Sequence, residues 1–132
     1  IYIENGLKTK DECLDYLFHK LYKAGFVGEK FRDDIYARES LGSTYLSSGV
    51  SVPHAMPTHI RKSSIPVLLL PNGVYWDNNI VHLVIMLAVK EEDMKQMIED
   101  LPVLYKKVLD YQFVNDLVRI KNSKDIQKIL LE

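Results

Sequence analysis

The sequence predicts a single α/β domain, a mixed β-sheet flanked by helices on both faces. Two patterns carry this expectation. Apolar residues recur at helical spacing over roughly the first forty positions and again from Met94 onward, while positions 50–89 hold short alternating or continuous apolar runs. A sheet bracketed by helices on both sides in the chain can have both of its faces covered. At 132 residues, 47% hydrophobic and 27% charged, the chain fits one domain with a sizeable core. No internal repeat, low-complexity tract or linker divides it.

The elements follow in order. Ile1-Tyr2-Ile3 reads as a short strand before a turn at Asn5-Gly6. Thr9 and Glu12 have capping-box spacing, hydroxyl first and carboxylate three residues on. Leu14, Leu17, Phe18, Leu21 and Tyr22 then give a helix its buried stripe, and Gly25 its stop. A second helix spans Glu29 to about Ser40, with Phe31 and Ile35 facing inward. The stretch from Gly42 to Gly49, small and rich in hydroxyls, reads as a loop.

From Gly49 the period changes. Val50 and Val52 alternate with serines until Pro53 ends the strand. Ile65 to Leu70 has the continuous apolar character of a strand buried on both faces. Asn72-Gly73 signals a hairpin turn into Val74-Tyr75-Trp76. Ile80 to Val89, the longest apolar run, is the expected central strand. Beyond it, Met94, Met97, Ile98, Leu101, Leu104, Tyr105 and Val108 form a helical stripe that Pro102 is expected to kink or split. Phe113, Val114, Leu117 and Val118 form another, and Ser123 caps a last helix carrying Ile126, Ile129 and Leu130.

Composition excludes several function classes. A net charge of −1 leaves no global basic field for nucleic acid or anionic membranes. Arg61-Lys62, Lys106-Lys107 and Arg119, Lys121 and Lys124 read as scattered, solvated charge. No apolar run approaches the ~20 residues of a membrane span, and no secretory signal opens the sequence. The single Cys13 cannot form an internal disulfide, which suits the cytoplasm. Beginning at Ile1 rather than Met, the sequence is expected to be a domain excised from a longer protein. There is no Gly-x-Ser-x-Gly elbow and no Walker loop. His54 and His59 lack the helical His-Glu-x-x-His arrangement and a cysteine partner, so no metal or cofactor is expected.

Four histidines remain as candidates for chemistry. His19, beside Phe18 on the first helix, reads as solvated or partly packed; His82, inside the longest apolar run, as a strand residue bonded to a neighbour. His54 differs because it follows Val50-Ser51-Val52-Pro53 at a strand end. Pro53 fixes its own φ and stiffens the approach, and a rigid strand end is a good mount for a reactive side chain.

Arg38-Glu39, Ser43-Thr44-Tyr45-Leu46 and Gly49-Val50-Ser51-Val52-Pro53-His54-Ala55 together resemble the signature of type-2 enzyme IIA domains. These belong to the mannitol and fructose class of the phosphoenolpyruvate-dependent sugar phosphotransferase system. The resemblance runs nearly the whole chain and implies that His54 accepts a phosphoryl group. It also implies that Arg38 is the active-site arginine, whose planar fork suits phosphoryl oxygens. From the residues alone, the less favoured alternative is a helix-end Arg38 pairing with Glu39. Thr44 either offers its hydroxyl to the same oxygens or serves only as a turn residue.

One departure matters. Many sugar-transporting members carry a second histidine at the start of the helix after the long strand, and Met94 stands at that position here. A thioether cannot donate a hydrogen bond to a phosphoryl oxygen. His59 could substitute only if its loop folds back, and Thr58-His59-Ile60 reads better as surface.

The missing histidine, with Val52-Pro53-His54-Ala55-Met56-Pro57 and Gly73-Val74-Tyr75-Trp76, resembles the enzyme IIA-like domains of antiterminator-type and mannitol-operon-type transcription regulators. On that resemblance His54 receives phosphoryl from HPr or an enzyme IIB. The added charge then biases contacts with neighbouring regulatory domains of the same chain. Nucleic acid binding would lie elsewhere. The alternative is a working enzyme IIA, a phosphotransferase component passing phosphoryl from HPr to a sugar-specific enzyme IIB.

Overall fold

A computed structural model describes residues 2–4, 6–46, 49–108, 110–117 and 119; Val118 and the helix expected from Ser123 lie outside them. In chain order the elements are β1 (Tyr2–Ile3), α1 (Lys10–Lys23), α2 (Phe31–Leu41), β2 (Val50–Ser51), β3 (Val67–Trp76), β4 (Asn79–Ile85), α3 (Met94–Val108) and α4 (Tyr111–Leu117). Single 3₁₀ turns lie at Pro57–His59 and Glu91–Asp93.

Both ends of α1 follow their sequence signals. The Thr9 hydroxyl accepts the Glu12 N–H at 3.1 Å. The Glu12 carboxylate turns back onto that same hydroxyl at 3.2 Å, a variant of the reciprocal capping box. At the other end Gly25 takes a left-handed φ of 78°. The N–H groups of Gly25 and Phe26 then return to the carbonyls of Tyr22 and Leu21, closing the helix as only a left-handed residue allows.

The sheet has the order β1-β3-β4-β2. β1 runs parallel to β3, β3 antiparallel to β4, and β2 parallel to β4, so the sheet is mixed with β3 and β4 at its centre. Alternation along the central strands sends Leu68, Leu70, Val84 and Met86 to the face covered by Leu14, Leu17, Leu21, Phe31 and Ile35 of α1 and α2. Val67, Leu69, Leu83, Ile85 and Leu87 go to the opposite face, against Met97, Leu101, Leu104, Val114 and Leu117 of α3 and α4. Each large aliphatic side chain fully buried in these layers contributes about 1.5–3 kcal/mol relative to exposure.

One expectation fails, and one of two alternatives falls, for stated reasons. The β3–β4 hairpin turns at Asp77-Asn78, not at Asn72-Gly73: both residues take left-handed backbone, with φ of 51° and 74°. That geometry matches the twist of the flanking strands, and Asp and Asn tolerate it better than most side chains. Asn72-Gly73 instead belongs to an irregularity inside β3. Leu69 faces Leu83 and Val74 faces Val81, so positions 70–73 stand opposite His82. β4 bends at the same level, where the N–H groups of His82 and Leu83 both donate to the Gly49 carbonyl, at 2.8 and 3.2 Å. Two donors on one carbonyl mark a bulge, and a bulge changes which face each following side chain meets. Pro102, the second case, does not split α3, which continues through it. The N–H it lacks would have served Ile98, an exposed residue whose carbonyl water can satisfy.

Candidate functional site

β2 is only two residues long, yet its alignment with the centre of the sheet persists beyond it. Val50 pairs with Leu83, Ser51 with Val84 and, past the proline, His54 with Leu87, all in one register. Pro53 has no N–H to give the ladder, so pairing lapses there and resumes at His54. The Leu87 N–H donates to the Pro53 carbonyl at 2.9 Å and locks this stretch to the chain continuing from β4. His54 thus sits in frame at the carboxyl end of a parallel strand, half-buried, where open α/β sheets place their ligands. Pro53 interrupts the strand rather than ending it.

The His54 ring has a defined tautomer. Its Nδ1 lies 2.9 Å from the Val52 carbonyl oxygen. A carbonyl only accepts, so Nδ1 carries the hydrogen and donates it. One ring nitrogen is committed to the backbone, and Nε2 is the nitrogen left for other chemistry.

Arg38 lies in the last turn of α2 and donates from Nη1 to the Gly42 carbonyl at 2.8 Å. Among the described residues this is its one hydrogen bond, and it forms no pair with Glu39. Glu39 is buried and turns the other way: Lys10 Nζ lies 2.8 Å from its Oε2, and the Thr44 hydroxyl donates to its Oε1. Thr44 is itself buried, and its hydroxyl proton is engaged by Glu39. Its main chain reaches the site directly, because its carbonyl accepts the Val52 N–H at 3.0 Å. Tyr45 and Leu46 continue that contact: Tyr45 pairs antiparallel with Ser51, and the Leu46 N–H donates to the Val50 carbonyl at 2.7 Å.

Lys10 joins a second acid, Asp77 in the hairpin turn, at 2.6 Å, and its ammonium stands 5.4 Å from the centre of the buried Trp76 ring. Burial opposes the Lys10 charge, but hydrogen bonds to Asp77 and Glu39 outweigh it and hold its pKa above the ordinary lysine value. Asp77 is held below the ordinary carboxylate value, first by its Lys10 bond, with a Ser43 bond adding to it against partial burial. No local sequence signal marks Lys10 or Asp77, since the fold brings both to the Arg38-Glu39 and Ser43-Thr44 stretches from distant positions.

Two of the other three histidines have defined partners. His59 Nδ1 lies 2.5 Å from Asp34 Oδ2, tying the 3₁₀ turn to α2. His82 Nδ1 lies 3.0 Å from the Leu70 carbonyl, as a bonded strand residue should, and His19 is exposed on α1. Met94, half-buried at the start of α3, lines a concavity of about 700 Å³ with Met56, Pro57, Ile60 and Lys90. That concavity begins two residues past His54 in the chain. Among the described residues, no group of three His, Cys, Asp or Glu side chains could hold a metal ion, and no helix is long and apolar enough to cross a membrane.

Comparison with known proteins gives this geometry a context. The fold superimposes on the crystal structure of IIA mannitol from Escherichia coli with a TM-score of 0.80, at 23% identity over 98% of this chain and 94% of that one. It also matches the Escherichia coli complex of enzyme IIA mannitol with phosphorylated enzyme IIB mannitol, with a TM-score of 0.76, at 25% identity over 99% and 98% of the two chains. In sequence, the chain is 30% identical over 107 residues to the transcriptional regulator ManR of Bacillus subtilis, covering 79% of this chain and 16% of that protein. It is 22% identical to the mannitol-specific phosphotransferase enzyme IIA component of Staphylococcus aureus, covering 100% and 92%. The chain therefore spans about a sixth of ManR but nearly all of the enzyme IIA component. Residues 1–132 match the family model described as the phosphoenolpyruvate-dependent sugar phosphotransferase system, EIIA 2, and the chain belongs to that family.

Proposed function

We propose that His54 is the phosphoacceptor of this domain and that it works as a regulatory receiver. The observation that carries the reading is the His54–Val52 bond, which commits Nδ1 to the backbone and leaves Nε2 as the nitrogen available to a phosphoryl group at the end of a rigid strand. In the proposed step the Nε2 lone pair attacks phosphorus and the N–P bond forms. The bond from phosphorus to the donor breaks, and its electron pair leaves with the donor. The Nδ1 hydrogen stays on the ring and is donated to the Val52 carbonyl throughout. Such transfers need positioning and positive charge more than acid–base chemistry, and the remaining Arg38 N–H groups supply a donor fork for the phosphoryl oxygens. The donor is HPr or an enzyme IIB, in the cytoplasm.

Met94 favours the regulatory role. With a thioether where many sugar-transporting relatives carry a second histidine, one hydrogen-bond donor is missing for onward transfer. The added charge would then act on neighbouring regulatory domains, as the similarity to ManR suggests. Nearly full-length similarity to a mannitol-specific enzyme IIA component supports the second reading, a carrier passing phosphoryl from HPr to an enzyme IIB.

The test is intact-mass analysis after incubation with phosphoenolpyruvate, enzyme I and HPr, then a chase with candidate enzyme IIB domains. One acid-labile phosphoryl that persists through the chase supports the receiver, and rapid drainage into one enzyme IIB supports the carrier. His54→Ala should abolish labelling and keep the fold; phosphate retained on that variant would remove the phosphoacceptor reading.

A further inference from the structure

We propose that Glu39 and Thr44 are positioning residues for the reaction at His54: they fix the tautomer of its imidazole without touching the transferred group. The proposal rests on the phosphoacceptor reading for its effect on rate, but the positioning itself is a property of the resting domain.

A continuous chain of bonds links them to the ring. Glu39, anchored by Lys10 at 2.8 Å, accepts the Thr44 hydroxyl. The Thr44 carbonyl accepts the Val52 N–H at 3.0 Å, and the Val52 carbonyl accepts the His54 Nδ1–H at 2.9 Å. Val52 is therefore held at both of its backbone groups, one by the Glu39 side of the network and one by the imidazole. These two groups lie on successive peptide planes that meet at the Val52 Cα, so shifting the first plane to follow a displaced Thr44 moves that Cα and carries the second plane, with the carbonyl that holds the imidazole, along with it.

Backbone pairing with Val50–Val52 ties Thr44, Tyr45 and Leu46 to the strand that carries His54, and side-chain anchors hold the stretch to the rest of the fold. It is small and hydroxyl-rich, and its described side-chain anchors are Thr44 on Glu39 and Ser43 on Asp77, with both acids held by Lys10. Pro53 cannot help from the other side because it has no N–H. Thr44 thus contributes through its carbonyl, while its hydroxyl serves as the strut. A buried carboxylate with two partners is an expensive way merely to end a helix, and its connection to the nucleophile gives it a role.

The test compares Thr44→Val, Thr44→Ser and Glu39→Gln with the unaltered chain. Two readouts are used: the ¹⁵N shifts of the His54 ring, which report the tautomer without any phosphoryl donor, and the rate of labelling by phosphorylated HPr. Thr44→Val should convert a single Nδ1–H tautomer into a mixture and slow labelling about 10- to 100-fold, in line with the cost of a small misplacement. Thr44→Ser, which keeps the hydroxyl, should restore both. Glu39→Gln places an amide against the Lys10 ammonium and should behave like Thr44→Val. Trp76, the one tryptophan, reports by its emission whether each variant is folded.

A folded Thr44→Val or Glu39→Gln variant with unchanged ring shifts would overturn the proposal, as would a Thr44→Ser variant that fails to rescue. If Thr44→Val does not fold, Glu39→Gln and Thr44→Ser still decide the matter. If His54→Ala still takes phosphate, the phosphoacceptor reading falls, and the ring shifts still judge the positioning claim by themselves.

Discussion

The tight packing where β3 and β4 both bend can be measured with two glycines. Gly73 and Gly25 have almost the same left-handed backbone, with φ of 74° and 78°. A Cβ on Gly25 would meet nothing within 4 Å. On Gly73 it would come within 2.8 Å of Ile80 Cγ2 and 3.0 Å of His82 Cε1. Alanine at either position pays about 1–2 kcal/mol for left-handed backbone, offset by about 0.4–1 kcal/mol through the unfolded chain. Gly73→Ala adds overpacking, typically about 1–3 kcal/mol. Ile80 is half exposed and its methyl can swing aside, whereas His82 cannot move without releasing the Leu70 carbonyl. The added cost should therefore be about 2 kcal/mol, which for a domain of this size separates the two melting temperatures by roughly 8 °C. Thermal and urea unfolding followed by the emission of the fully buried Trp76 gives both numbers. Equal losses for the two variants would refute the reasoning, because they would mean that the bend has room to spare.

Three further outcomes follow from the packing and the titrations. Burial, with a smaller contribution from Glu12, pushes the Cys13 thiol up to about 12, so thiol reagents at pH 8 should label it only when the chain unfolds; labelling of the native protein would contradict its placement. Burial and a bond to Glu4 push Tyr16 up to about 12, and burial with a bond to Asp15 raises Tyr36 too. Native tyrosines then keep protons that the unfolded chain releases near its ordinary value of about 10. Their contribution to stability is full below that value and is lost as pH rises through the folded values, which urea midpoints between pH 8 and 12 would reveal; a flat profile would argue against it. Thr9→Ala removes the α1 cap and should cost about 1 kcal/mol, with Thr9→Ser close to neutral in the same urea titration.

What could be read from the sequence depended on how local its cause was. The cap at Thr9, the stop at Gly25 and the continuous apolar run along positions 67–70, buried on both faces, depend on neighbours in the chain, and they appear where expected. The Asn72-Gly73 turn failed because the deciding partner is remote. Gly49, just before β2, takes two N–H groups of β4, and positions 70–73 lie within β3 at that same level. At the candidate site, His54 stood out in the sequence because Pro53-His54 and the two preceding stretches form a compact motif. Lys10 could not, since the start of α1 and the hairpin turn meet beside Glu39 only after the sheet has formed. Pairing Arg38 with Glu39 was the alternative that adjacent opposite charges left open, and it fails because residues one apart on a helix point to different sides.

The two functional readings share one resting site and differ in what happens after phosphorylation. Accepting phosphoryl requires a free Nε2 and a cationic fork, and neither depends on position 94. Releasing it depends on what a docked partner finds around the phosphate. In the chain after His54 come Met56, which is 75% exposed, and Pro57, with Met94 across the same concavity and Lys90 and Glu92 on its lining. This wall offers adaptable apolar contact, the character of a surface that can repack against a partner. The thioether of Met94 adds no donor to draw charge off the phosphoryl oxygens. A receiver benefits from that combination, because its output depends on phosphate lasting long enough to shift a domain equilibrium. A carrier gains nothing from it, since each turnover must return the site to neutral imidazole. The lifetime of the phosphorylated state in the presence of a partner is therefore the quantity that separates the readings.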